Sequence, residues 1–139
     1  MNSEVITLEW LISANSKIYD HKTSFLKYGY IDWHQSYNFA IGDIIYIYSS
    51  RPESSISFVT RVDGVNMLFS DTRDDKLFWK KLDTYEKSKN GLYCKLTLIS
   101  HIQNKSLSLE KLKEHGLKVA PQGALKLRGE LRDYIVANS

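Results

Sequence analysis

The sequence predicts one α+β domain over residues 1–139, with about five or six short strands and three small helices around them. Short runs of β-branched and aromatic residues alternate with clusters of Gly, Pro, Asn and Ser, which is the pattern of strands joined by turns. Three other segments favour helices, through capping residues or helical apolar spacing. No linker, repeat or low-complexity tract divides the chain, so a single domain is expected.

The strands are predicted where apolar residues recur at strand spacing, at 5–12, 30–33, 44–48, 56–62 and 92–102. Alternation in the run 56–62 puts Ile56, Phe58 and Val62 on one face. The turn residues at 51–54 lie between two of these runs, so 44–48 and 56–62 are expected to pair as a hairpin.

Helix boundaries are predicted from capping residues. Asp20 is suited to begin a short helix that Gly29 ends, and Ser108 is suited to begin another that Gly116 ends. A last helix is predicted over 127–136, where apolar residues recur at helical spacing. One face of that helix is therefore expected to pack on the rest of the domain.

The overall charge permits a nucleic-acid partner without requiring one. The net charge is +3 and the sequence pI is about 8.9, which is only mildly basic. The single cysteine, Cys94, cannot form an internal disulfide, and no secretory signal or membrane-spanning run is visible. A cytoplasmic location without a membrane partner is the expectation.

Catalytic and metal-binding patterns are missing from the sequence. The histidines have no metal-ligand spacing, and no glycine-rich phosphate loop is present. Cys94 lies in the middle of a predicted strand, on its buried face, where a thiol behaves as a small apolar group. A non-enzymatic protein with no cofactor and no metal is therefore predicted.

Tryptophans beside short polar residues indicate a binding pocket. Trp33 has polar neighbours on both sides at the end of a predicted strand, and Trp10 lies shortly before Asn15. Aromatic rings stack on nucleobases, and Asn15 or Ser49 could bind a base edge by hydrogen bonds. A pocket for a nucleobase is the prediction, with Trp33 favoured as a pocket residue, although packing in the core is the favoured role for Trp10 taken alone.

The strand 44–48 leaves one question open. Tyr46 and Tyr48 share one face, opposite Ile45 and Ile47, and the sequence does not decide which face is buried. Contacts to a nucleic-acid backbone are predicted from cations near the pocket, namely Lys17, Lys22, Lys27, Arg51 and Arg61.

Several motifs together resemble the EVE domains of the PUA-like superfamily, which are related to YTH readers and to the reader domains of modification-dependent restriction nucleases. The matching residues are Trp10-Leu11-Ile12 with Asn15, Ile31-Asp32-Trp33, the block from Gly42-Asp43 to Tyr48, the strand Ile56–Val62, and Pro121-Gln122-Gly123 to Tyr134-Ile135.

This resemblance implies a PUA-like mixed β-barrel of five to six strands, with an aromatic pocket for a flipped, modified base. It implies Trp33 as a cage residue, Asn15 as a base-edge partner and Ser49 as a wall residue, with Trp10 and Tyr48 as additions. Residues 70–91 depart from the pattern as a loop with a helical turn across one end of the barrel, and the third cage aromatic is expected there, at Trp79. No nuclease domain is visible, so any cleavage is expected from a partner nuclease.

Three alternatives to a reader of modified DNA stay open. The first is an RNA-binding PUA-like module. The second is an ASCH-type hydrolase of modified nucleosides, for which Lys27 is a candidate residue without a distinctive spacing. The third is an interaction protein whose aromatic residues are simply buried.

Overall fold

The computed structural model describes residues 6–139. The strands β1 to β6 are Glu9–Ala14, Tyr30–His34, Ile44–Ser49, Ser55–Met67, Tyr93–His101 and Leu125–Lys126. The helices α1 to α4 are His21–Tyr28, Leu82–Ser88, Leu109–Glu114 and Gly129–Asn138, and two 3-10 turns lie at Phe69–Asp71 and Lys76–Phe78. None of the described helices has the length and apolar character needed to cross a membrane.

The strands of residues 6–139 form one mixed sheet in the order β2-β5-β4-β3-β1-β6. The pair β1–β3 is parallel and the other pairs are antiparallel. The prediction of an α+β domain is confirmed, but that of a closed barrel is wrong, because β2 and β6 end the sheet without pairing to each other. The sheet is open between β2 and the end of β1.

The short strand β6 explains the open edge. It pairs with β1 only at Trp10 and Leu11, so the second half of β1 has no strand on that side. Two other segments lie side by side there: the Lys80 amide donates to the Ile18 carbonyl at 2.7 Å, and the Asp20 amide donates to the Phe78 carbonyl at 2.8 Å. The opening is therefore bordered by loops rather than closed by a strand.

Both faces of strand β3 are buried, which answers the question that its sequence left open. Ile45 and Ile47 lie in one apolar cluster with Phe25 of α1. Tyr46 and Tyr48 lie in a second cluster on the opposite face, beneath the C-terminal helices. Neither face of β3 is left to solvent.

A β-bulge shifts one residue away from the face predicted for it. Ile47 pairs with Phe58, but the next residue, Tyr48, pairs with Ile56, so the register slips by one at Ser57. A slip of one residue moves a side chain to the other face. Ile56 therefore packs with the second cluster, while Phe58 and Val62 stay in the first.

The predicted caps are confirmed. The Asp20 carboxylate accepts from the Thr23 amide at 3.2 Å, and Gly29 ends α1 with a positive φ of 78°. Ser108 accepts from the Lys111 amide at 3.3 Å at the start of α3. The last helix begins at Gly129 rather than at 127, because the Leu127 amide donates to the Glu9 carbonyl and continues the sheet.

Candidate functional site

Two neighbouring cavities lie at the open edge of the sheet, and His21 lines both of them. The smaller has a volume of about 210 Å³ and lies between the end of β1 and strand β2. The larger is a groove of about 1200 Å³ that extends past the end of β3 to the start of α3. We call them the small cavity and the groove.

Aromatic residues form much of the wall of the small cavity. Trp33 of β2 lines it together with Tyr19, Trp79 and Tyr93. Rings with apolar faces and polar edges suit a flat ligand that has polar atoms on its rim.

Trp33 differs from the other tryptophans in its hydrogen bonding. The Trp10 indole donates to Asp43 at 3.0 Å, and the Trp79 indole donates to Asp75 at 3.0 Å. Within residues 6–139, the half-buried Trp33 indole nitrogen has no hydrogen-bond partner. An accessible N–H beside an aromatic wall can donate to a ligand.

Asn15 brings a second available donor to the small cavity. Its Oδ1 accepts from the Lys17 amide at 2.9 Å. Because a backbone N–H only donates, this contact fixes which side-chain atom is the oxygen. The Asn15 amide group is left to donate on its other side, on an exposed residue at the end of β1.

Asp75 anchors the wall that Trp79 provides. It accepts from the Trp79 indole and from the Tyr19 hydroxyl, each at 3.0 Å. Burial raises the pKa of the Asp75 carboxyl, while these two hydrogen bonds act to lower it. The Tyr19 hydroxyl is also 3.0 Å from Ser24 on α1, so one connected network fixes the wall against the helix.

Arg73 fastens the same segment to β2 and α1. Its guanidinium lies 3.8 Å from the centre of the Tyr28 ring, and its Nη2 donates to Ser24 and to the Tyr30 carbonyl, each at 3.2 Å. Its backbone amide donates to Asp32 at 2.8 Å. Burial raises the pKa of the Asp32 carboxyl, which belongs to the cavity lining.

His21 joins the two cavities and is uncharged at neutral pH. Its ring packs between Tyr19 and Trp33, with ring centres at 4.9 and 5.0 Å. Burial, with a further contribution from Lys80, lowers the pKa of His21 to about 4. A neutral imidazole has one donor and one acceptor nitrogen, so His21 can bind a polar ligand without adding charge.

The groove has a basic and polar lining. Its lysines form no ion pair within residues 6–139, whereas other cations such as Arg61 and Arg132 do. Its acidic lining residues are fewer: Asp20, Glu53 and Glu110. The lining lysines are Lys17, Lys22, Lys80, Lys105 and Lys113. Unpaired ammonium groups of this kind are free to contact phosphate.

The structure brings together part of the predicted site. Trp33 and Asn15 line the small cavity, as does Trp79. Ser49, Lys17 and Lys22 line the groove instead. The residues expected to bind one base are thus divided between two adjoining cavities.

Trp10 and Tyr48 lie away from both cavities, contrary to the expectation for them. Trp10 is buried against Phe39 and holds its indole N–H on Asp43. Tyr48 is buried in the second cluster, on the face opposite Ile47. Both are packing residues, because each strand face they occupy is covered by other parts of the chain.

Three of the predicted cations are also elsewhere. Arg61 pairs with Asp63 at 2.8 Å and lies opposite Ile44, at the start of β3. Ser49 ends that strand, so Arg61 is roughly 17 Å from it at the usual rise of a strand. Arg51 is exposed on the turn after β3, outside the lining of the groove, and Lys27 extends over the Tyr28 ring.

The predicted burial of Cys94 is confirmed: the thiol is fully buried, and burial raises its pKa to about 12. Among the described residues, no group of three or more His, Cys, Asp or Glu side chains is arranged to hold a metal ion.

Sequence reasoning missed His21, Tyr19 and Tyr93. A signal existed for His21, because it directly follows the helix cap predicted at Asp20 and is therefore the first residue of α1. No sequence signal marked Tyr93, because its position in the cavity wall depends on α2. The Tyr93 hydroxyl donates a hydrogen bond to the Ser88 carbonyl at the end of that helix.

Comparison with known proteins gives a result for the structure alone. No protein-family model and no curated protein matches the chain. The ASCH protein of Zymomonas mobilis superposes with a TM-score of 0.65 at 18% identity, over 93% of this chain and 94% of that one. A Pseudomonas syringae protein superposes with a TM-score of 0.63 at 15% identity, over 93% of this chain and 97% of that one. A hypothetical protein of Leishmania major superposes with a TM-score of 0.62 at 16% identity, over 95% of this chain and 94% of that one.

At such low identity the likeness concerns the fold. The predicted resemblance to the EVE domains finds no specific support, because none of these neighbours is named as an EVE domain. The domain shares the fold of the ASCH protein from Zymomonas mobilis, built on an open, mixed six-stranded sheet with short flanking helices.

Proposed function

We propose that this protein is a non-enzymatic module that binds nucleic acid by taking one flipped-out, modified nucleobase into the small cavity. The base stacks against Trp33, and the phosphates next to it contact lysines of the groove. The observation that carries the proposal is the indole of Trp33, half-buried in an aromatic cavity without a hydrogen-bond partner within residues 6–139.

The size of the small cavity supports a single base. Pockets for drug-sized ligands span roughly 300–1,000 Å³. The small cavity, at about 210 Å³, is below that range and suits one ring system. A methyl group on the base would gain contact with the aromatic walls.

The polar groups of the cavity support recognition of the base edge. The free side of the Asn15 amide donates, and neutral His21 either donates or accepts. These groups complement a neutral ring that carries both donors and acceptors on its rim.

Binding of a panel of labelled oligonucleotides tests the proposal. The panel contains single-stranded DNA, single-stranded RNA and duplex DNA, each unmodified or carrying 5-methylcytosine or N6-methyladenine. We expect tighter binding of one modified member, a loss of about 5- to 100-fold in Trp33→Ala, and partial recovery in Trp33→Phe. Equal binding of the whole panel by wild type and Trp33→Ala would refute it.

Tyr37→Ala is the matched control, because Tyr37 is an exposed aromatic residue outside the lining of both cavities. It should bind like wild type. The panel also decides between DNA and RNA. If a modified DNA is preferred, a separate partner nuclease becomes the natural source of any cleavage.

The likeness to ASCH proteins favours a second candidate, an RNA-binding module or a hydrolase of modified nucleosides. Lys27 is outside the lining of both cavities, so Lys22 replaces it as the lysine to test for turnover. Incubation with N-acylated and N-methylated nucleosides, followed by chromatography, separates this candidate from the first. Product formation that is lost in Lys22→Gln would establish the hydrolase.

A further inference from the structure

We propose that the groove binds the nucleotide next to the one whose base enters the small cavity, and that the second base stacks on His101. The inference rests on the proposed function and deepens it. The ligand is then a single strand of at least two nucleotides, bound across two adjoining cavities.

The stacking surface is already assembled. The His101 ring lies nearly parallel to Phe58, with ring centres 5.2 Å apart and an angle of 18° between the planes. Phe58 is buried in the core, so it covers one face of the His101 imidazole and holds that ring in place. His101 lines the groove, where its other face is available for a flat ring.

The charges around His101 suit a phosphate beside a neutral ring. Burial and the nearby Lys22 both lower the pKa of His101, so the imidazole stays uncharged at neutral pH. Lys22 lines the same groove as His101, together with Lys17 and Lys80. A phosphate that joins the two nucleotides would contact these ammonium groups.

His21 gives the geometric link between the two base positions. Its ring packs against Trp33 in the small cavity at a tilt of 32°, and it also lines the groove that contains His101. Two neighbouring bases bound in separate cavities cannot stack on each other or pair with a second strand. Because each extruded base costs a few kcal/mol in a duplex, an unpaired strand is the favoured ligand.

The test compares a mononucleotide with a dinucleotide of the same phosphate count. The probes are adenosine 5′-monophosphate and adenylyl-adenosine, and the same pair with N6-methyladenine or 5-methylcytosine as the first base, titrated by calorimetry. The dinucleotide carries less negative charge, so a gain in affinity comes from its second base. We expect the dinucleotide to bind at least about tenfold more tightly, from the stacking of one base.

The ratio of the two affinities decides the outcome. In His101→Leu, which keeps an apolar group on Phe58 but removes the flat ring, the ratio should fall close to one. In Lys118→Gln, which removes an exposed lysine outside the groove, it should stay unchanged. The inference is overturned if the dinucleotide and the mononucleotide bind wild type with equal affinity. It is also overturned if a folded His101→Leu variant keeps the same affinity ratio as wild type.

Failure of the proposed function has a different signature. If Trp33→Ala binds the mononucleotides as tightly as wild type does, base capture itself is wrong. If Trp33→Ala weakens the mononucleotide while the dinucleotide gains nothing in wild type, only the second base position is wrong. If no probe binds, both are wrong.

Discussion

The indole nitrogen of Trp10 donates a hydrogen bond of 3.0 Å to the carboxylate of Asp43, and both residues are buried. The same carboxylate accepts from the Ala40 amide at 3.0 Å and the Leu8 amide at 3.2 Å. The tryptophan of β1 and the Gly-Asp pair before β3 are therefore one structural unit. Their joint presence in the sequence reflects packing of the parallel pair β1–β3 and not a ligand site.

Loss of the Asp43 carboxylate should strongly destabilise the fold. Asp43→Ala leaves three donors without their partner, and each buried one costs about 1–3 kcal/mol. We expect a decrease of about 3 kcal/mol or more in the free energy of unfolding, measured by urea denaturation. Asp133→Ala, at an exposed position, is the control and should change it by less than about 0.5 kcal/mol. Similar values for the two variants would contradict this role of Asp43.

Trp10 and Trp33 should separate stability from binding. Trp10→Ala removes a buried ring and should cost about 3–5 kcal/mol of unfolding free energy. Trp33→Ala removes a half-buried ring at the rim of the small cavity and should cost about 1 kcal/mol. Denaturation curves of both variants, read beside the oligonucleotide titrations, check this. A Trp33 variant as unstable as the Trp10 variant would make Trp33 a packing residue.

His21 should make stability fall in mild acid. The folded protein holds the pKa of His21 at about 4 against 6.5 for a free histidine, so the unfolded chain takes up the proton first. Stability from this group is complete above pH 6.5 and is lost as the pH falls towards 4. The loss should reach about 3 kcal/mol.

His21→Phe keeps a ring between Tyr19 and Trp33 and should flatten that part of the profile. Denaturation at a series of pH values from 7 to 4 measures it, and the difference between the two proteins removes the contributions of other groups. Among those, burial raises the pKa values of Asp32 and Asp75, which acts in the opposite direction. An equally steep acid limb in both proteins would contradict a buried neutral His21.

Asp75 should act on the ligand through Trp79. Asp75→Ala frees the Trp79 indole and the Tyr19 hydroxyl from their shared acceptor. We expect a change in tryptophan fluorescence and about tenfold weaker binding of the preferred oligonucleotide, as one stacking wall becomes mobile. Asp74→Ala changes the neighbouring exposed carboxylate and is the control. Equal effects of the two substitutions would remove Asp75 from this role.

The groove lysines should determine the salt dependence of binding. A lysine that contacts a phosphate of a single strand contributes about 0.7 to the slope of log affinity against log salt concentration. Lys22→Gln should reduce the slope by about that amount, and Lys118→Gln should leave it unchanged. Anisotropy titrations at several salt concentrations measure both slopes, and an unchanged slope in Lys22→Gln would exclude phosphate contact there.

Local signals in the sequence were enough to predict α1 and most of the strands. Asp20 and Gly29 act through neighbouring backbone groups, so their roles follow from local sequence. The orientation of Tyr46 and Tyr48 does not follow from local sequence. It depends on helices from the other end of the chain, which cover the face of β3 that carries these two side chains. The β-bulge that places the Ile56 side chain on the opposite face of the sheet likewise depends on pairing between β3 and β4.

The small cavity was predictable only in part, for a similar reason. The polar neighbours of Trp33 marked it as a residue at a strand end, and Asn15 followed another strand. The local sequence did not indicate that Asp75 would be half-buried and accept hydrogen bonds from Trp79 and Tyr19. Tyr19 is far from Asp75 in the chain, so this contact depends on the fold. Charged residues in loops look alike in sequence until the fold supplies their partners.

The two sides of the opening between β1 and β2 differ in how freely their residues can be substituted. One side of the small cavity belongs to the sheet, whose residues also carry the core. The other side belongs to the segment 69–80 and helix α2, which meet the sheet through a few side-chain anchors such as Arg73. Phe78 and Tyr85 of this part are buried, but Trp79, Thr84 and Ser88, which line the cavity, are only half-buried. Mutations at these three positions can reshape the cavity at little cost to the core, so related proteins can keep this sheet and still differ in the ligands they select.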